Sequence, residues 1–128
     1  MGSDKSTIAG LEILLAGGAG GLGSATAELL EAEGAAGAAF ITPANPHSKR
    51  RTDAENHAAF LSFNAAMRKT PYACHPGVGR DPSGNWSEQS LLIVGIPRAE
   101  AEALGRSLGQ NAIVYVEKGK LPELAVLV

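Results

Sequence analysis

Residues 14–30 read LLAGGAGGLGSATAELL. An apolar run enters a bend that holds five glycines in the seven residues 17–23, and a helix-forming run leaves it. Glycine at that density favours neither helix nor ladder. The fold turns on what the bend is: a phosphate-cradling turn inside a parallel sheet, or a connection that the backbone requires in a sheet of another kind. Residues 7–16, rich in Ile and Leu, predict a strand before it. Ser24 predicts the N-cap of the helix after it, and Gly34 the stop.

Further along, residues 38–42 predict a short buried strand. Residues 43–52 predict a loop with two prolines and the basic run Lys49-Arg50-Arg51. Thr52-Asp53-Ala54-Glu55 has the capping-box pattern, in which a threonine hydroxyl and the glutamate three residues on satisfy opposite orphan amides. Behind it Ala54, Ala58, Leu61 and Ala65 recur at helical spacing and predict an apolar stripe, widened by Phe60, Phe63 and Met67. Pro71 ends that helix. Residues 72–75 predict a brief strand, 76–88 a long loop, and 91–96 an apolar strand. Pro97 opens a third helix where a missing amide costs little, with Ala101, Leu104 and Leu108 on its buried face and Gly109 closing it. Residues 112–116 and 123–128 predict two strands joined by a hairpin turn at Lys118-Gly119-Lys120.

The predicted order is β-α-β-α-β-β-α-β-β. Two adjacent strand pairs without a helix between them argue against a purely parallel, doubly wound sheet. The expectation is a single two-layer α+β domain over residues 7–128, with a mostly antiparallel or mixed sheet and about three helices packed on it. Residues 1–6 read as a leader without functional weight. At 128 residues and 45% apolar content, the chain can bury a core without disulfides or metal. A net charge of −2 offers no global attraction to nucleic acid or an anionic membrane. No apolar run is long enough to span a bilayer. The single cysteine, Cys74, cannot form an internal disulfide and fits a reducing, cytoplasmic compartment.

Locally, Gly18-Ala19-Gly20-Gly21-Leu22-Gly23 has G-x-G-x-x-G spacing, and Gly17, Gly21 and Gly23 fit a looser glycine pattern. The stretch resembles the glycine motif of short-chain dehydrogenases. That resemblance implies a reduced Rossmann-like domain in which Gly18, Gly20 and Gly23 approach a pyrophosphate. The acidic residue expected about 20 positions on is replaced by Thr42-Pro43-Ala44-Asn45, although residues 47–51 could hold a 2′-phosphate instead. The family's Tyr-x-x-x-Lys pair is absent. The leading expectation is a bend without a cofactor.

Four other segments carry a broader resemblance: AAFITPANPHSKRRTDAEN at 38–56, GVGRDPSGNW at 77–86, EQSLLIVGI at 88–96 and LGQNAIVYVE at 108–117. Together they resemble the DUF3293 family of short bacterial proteins of unknown function. The chain departs from that family's pattern at Ala44, where an aromatic is usual, and at Thr70-Pro71, where a glycine is usual. The resemblance implies a fold and no activity.

Polar residues cluster at the ends of predicted elements, where sites are built: Asn45, Ser48, Asp53, Glu55 and Asn56; Arg80, Asp81, Asn85 and Trp86; Glu88 and Ser90; Gln110 and Asn111. If Asn45, Arg80, Glu88 and Gln110 converge, they form a pocket of one cation, one carboxylate and two amides, suited to a small polar or anionic ligand or to a protein partner. Ser48, Trp86 and Asn111 join that candidate set. Each also has a structural reading as a cap, a turn or a strand-entry bond, and Arg80 and Glu88 as a simple ion pair. Cys74 and His75 are sequence neighbours, so a strand points them to opposite faces and they cannot act as nucleophile and base. His47, His57 and His75 lack ligand spacing, so no metal is expected. Lys49-Arg50-Arg51 could touch phosphate, but no interleaved aromatics support a nucleic-acid platform. The apolar final strand needs covering, which points to a homodimer through a free sheet edge or the late hairpin.

Overall fold

Strand β1 (Gly37–Ile41) is the centre of the sheet, and its side chains alternate between two cores. The computed structural model describes residues 20–80 and 87–128. In chain order the other elements are α1 (Gly20–Glu33), a single 3-10 turn (Pro46–Ser48), α2 (Asp53–Met67), β2 (Ala73–Arg80), β3 (Ser87–Val94), α3 (Arg98–Ser107), β4 (Ala112–Glu117) and β5 (Glu123–Val126). The sheet order is β2-β3-β1-β4-β5, and every neighbouring pair is antiparallel. The α+β class, the antiparallel sheet and the three helices are as expected.

Ala39 and Ile41 face the larger core with Leu91, Ile93, Ile113 and Tyr115, and α2 and α3 close over them through Phe60, Phe63, Met67 and Ala101. Each Leu, Ile, Phe or Met side chain among these, taken fully out of water, contributes roughly 1.5–3 kcal/mol. These are the two expected layers. Ala38 and Phe40 face the other way with Leu92, Val94 and Val116, and α1 covers that side with Leu29 and Leu30. The sheet therefore carries helix on both faces.

The expected strand over residues 7–16 lies outside the described residues. The expected bend over 17–23 is replaced, where described, by helix: Gly20–Gly23 open α1, and Ser24 stands inside it rather than capping it. Burial of Leu29 and Leu30 stabilises this helix from the sheet side, so tertiary packing outweighs the poor propensity of its glycines.

In α2 the capping box is present as predicted: the Glu55 amide donates to Thr52 Oγ1 at 3.1 Å and the Thr52 amide donates to Glu55 Oε1 at 3.0 Å. The apolar stripe is not. Ala54, Ala58, Leu61 and Ala65 are all exposed, and the buried seam runs through Phe60, Phe63 and Met67. Where it is described, at 76–80 and 87–88, the expected loop over 76–88 is strand. β2 and β3 pair from Ala73↔Val94 to Arg80↔Ser87, so Pro76 lies within a ladder. β2 is an edge strand of the described sheet, the position where a proline is tolerated.

Candidate functional site

The 43–52 loop has no strand or long helix of its own, and its shape is held by one asparagine. Asn45 adopts a left-handed backbone (φ 47°), as do His47 and Ser48 (φ 58° and 60°). Asparagine tolerates this region better than most residues. Both ends of its side-chain amide are engaged. Nδ2 donates to Glu88 Oε2 at 2.9 Å, while Oδ1 accepts from the Arg51 amide at 2.8 Å and from Asn56 Nδ2 at 3.0 Å. The Asn45 amide donates in turn to Asn56 Oδ1 at 3.0 Å. The two asparagines thus lock the loop to the first turns of α2.

A second set of bonds ties the same loop to the turn between α3 and β4. The His47 amide donates to the Gly109 carbonyl at 2.7 Å, Gln110 Nε2 to the Ala44 carbonyl at 3.0 Å, and Asn111 Nδ2 to Ser48 Oγ at 2.8 Å. Gly109 itself has φ 73° and lies against Pro46 and His47, so a side chain there would be both strained and crowded.

Between these segments and the start of β3 lies a cleft of about 610 Å³, within the size range of small-molecule sites. It brings together Asn45, Ser48, Glu88, Gln110 and Asn111 of the sequence-derived set. Arg80 is not in it. Arg80 lines an adjoining groove of about 160 Å³, which it shares with Glu88 and Gln110. Asp81, Asn85 and Trp86 lie outside the described residues, as does Gly18. Gly20 and Gly23 belong to α1.

The cations of the cleft are Arg50 and Arg51, which the sequence marked only as a basic run. Among the described residues neither guanidinium is engaged in a hydrogen bond or ion pair; Arg51 acts on Glu55 through charge alone. Asp53, Asn56 and Ser87 complete the polar lining. Asn56 was legible as a polar residue at a helix start, but its pairing with Asn45 had no local signal. Glu88 is half-buried, and that burial raises its carboxyl above the ordinary glutamate value, opposed by the hydrogen bond from Asn45.

Elsewhere Cys74 and His75 do point to opposite faces. Cys74 packs against the α2 and α3 core, where burial pushes its thiol pKa up, and His75 Nε2 meets Glu33 Oε2 at 2.9 Å beside α1. Among the described residues no cluster of His, Cys, Asp and Glu could hold a metal, and no helix is long and apolar enough to cross a membrane.

A family model described as DUF3293, protein of unknown function, matches residues 41–113. The chain belongs to the DUF3293 family. Every cleft residue named above, from Asn45 to Asn111, lies inside the matched span. So do α2, β2, β3 and α3, whereas α1 and β5 fall outside it. No curated protein and no solved structure matches the chain. In this DUF3293 chain the candidate cleft therefore lies within the matched portion of the fold.

Proposed function

We propose that this protein binds a small polar anion that also carries N–H or O–H donors, and that the cleft between the 43–52 loop and the start of β3 is its site. The observation that carries this reading is the division of labour among the lining groups. Arg50 and Arg51 offer unengaged guanidinium donors on one side. Gln110 and Asn111 each commit one amide N–H inward, to Ala44 and Ser48. Their carbonyl oxygens remain as acceptors, beside the Glu88 carboxyl. Guanidinium groups favour planar or tetrahedral oxyanions, and the amide oxygens favour the ligand's own donors. The site is built by bonds that are already made, so little ordering cost falls on binding.

Titration of the ¹⁵N-labelled protein with methyl phosphate, followed by amide shifts, tests the reading. Shifts should localise to Asn45, Ser87, Glu88 and residues 110–112, and should disappear in the Arg50→Ala/Arg51→Ala double variant. Absence of any localised shift at millimolar ligand overturns it.

A second reading concerns assembly. β5 ends the described sheet, and Leu124 and Val126 on it are each 65% exposed. An edge strand with apolar side chains is a template for pairing, and two identical strands pair antiparallel about a two-fold axis. This supports a homodimer joined along β5. Light scattering after size exclusion should give twice the monomer mass, and Leu124→Lys/Val126→Lys should give the monomer. A monomer at high concentration for the unaltered chain removes this reading.

A further inference from the structure

We infer that the ligand of the cleft is amphiphilic, with an apolar tail of about five carbons that lies in the adjoining groove on the α1 side of the sheet. This rests on the polar-cleft reading above and specifies the ligand class. The two spaces are continuous: Glu88, Gln110 and Ala112 wall both. The groove exists because of what the strands carry on that face. Gly79, Ser90 and Ala112, on three different strands, form a floor of small residues. Beyond the floor stands a row of larger apolar side chains, Phe40, Val114 and Leu124, which the register places side by side across β1, β4 and β5. α1 covers this face around Leu92, Val94 and Val116 and leaves Leu124 outside its cluster.

The hydroxyls in the groove make no demand on a ligand. Ser90 Oγ donates to the Glu88 carbonyl at 3.0 Å. Thr42 Oγ1 donates to the Gln89 carbonyl at 2.7 Å and accepts from the Ala44 amide at 3.1 Å. Arg80, which also lines the groove, is not without a partner; with the hydroxyls bonded, the partly exposed apolar row favours hydrocarbon over water. Its volume of about 160 Å³ corresponds to roughly five groups the size of a water molecule. The polar head and the tail therefore occupy opposite sides of the Glu88–Gln110 divide.

The test compares methyl phosphate with n-hexyl phosphate, which shares its head and adds five methylenes. Burial of a methylene strengthens binding by up to about fourfold, so hexyl phosphate should bind tighter by about tenfold or more, even with the groove only partly dry. Amide shifts at Gly79 and Val114 should appear with hexyl phosphate alone. Leu124→Asp, at an exposed site, should abolish the gain from the tail and leave methyl phosphate binding unchanged. Equal affinity for the two esters overturns the amphiphile and leaves the polar cleft standing. A gain that survives Leu124→Asp without shifts at Gly79 and Val114 places the tail elsewhere and also overturns it. Failure of both esters to bind removes the polar cleft and the tail with it.

Discussion

Asn45 combines two separable jobs, a left-handed backbone and three side-chain bonds, and substitution can part them. Asn45→Gly keeps the backbone geometry and loses the bonds, including the partners of Asn56 and Glu88; it should destabilise by about 1–3 kcal/mol. Asn45→Ala loses the same bonds but keeps a Cβ in the left-handed region, for about 1–2 kcal/mol more than the glycine variant. Urea denaturation of the two variants reads the difference directly. Glu88 gives a pH signature. Its folded pKa lies above the ordinary value of 4.5 because burial disfavours the charged form. The folded state then binds the proton more tightly than the unfolded chain. Its contribution is most favourable below pH 4.5 and is lost as pH rises through the raised folded value. Glu88→Gln, which keeps an acceptor for Asn45, should raise the Tm at pH 7 and leave it unchanged at low pH. Thermal scans across that range would show the two curves converging toward acid.

At the scale of elements, α2 shows where periodicity misleads. Phe60→Ala should cost about 3–5 kcal/mol, whereas Ala58→Lys, on the exposed side, should stay within about 0.5 kcal/mol; denaturation midpoints distinguish the two faces. α3 meets the sheet at Gly105, where a Cβ would lie 2.7 Å from both Ile113 and Leu127. Gly105→Ala should therefore destabilise by about 1–3 kcal/mol through overpacking, despite its gain in helix propensity. The capping box and the Gly119 hairpin were legible because each is a local event. The α2 seam was not, because Ala54, Ala58, Leu61 and Ala65 have helical spacing too, and the true seam is extended by Asn56, a polar residue satisfied only by Asn45. β2 was hidden by Pro76 and its glycines, which local chemistry assigns to loops and only an edge position excuses. The polar residues of the cleft could be picked out at the ends of elements. That Arg50 and Arg51, not Arg80, supply its cations depends on how the 43–52 loop folds back, which no nearby spacing encodes.

The whole molecule is ordered outward from β1, which has β3 on one side and β4 on the other, while β2 and β5 close the sheet. Amide hydrogen exchange should follow that order. Protection should peak at Ala38–Phe40 and Leu91–Ile93, whose residues are at most 5% exposed, and be lowest along β5. The cross-links of the cleft are long in sequence: Gln110 reaches back to Ala44, and Asn111 to Ser48, across 66 and 63 residues. During synthesis the 43–52 loop leaves the ribosome with only part of its restraints available. Asn56 can hold Asn45 early, but the opposite wall is missing until residue 111 has emerged. A complete cleft is thus a late acquisition of the nascent chain, arriving with β4 rather than with the loop that supplies its arginines.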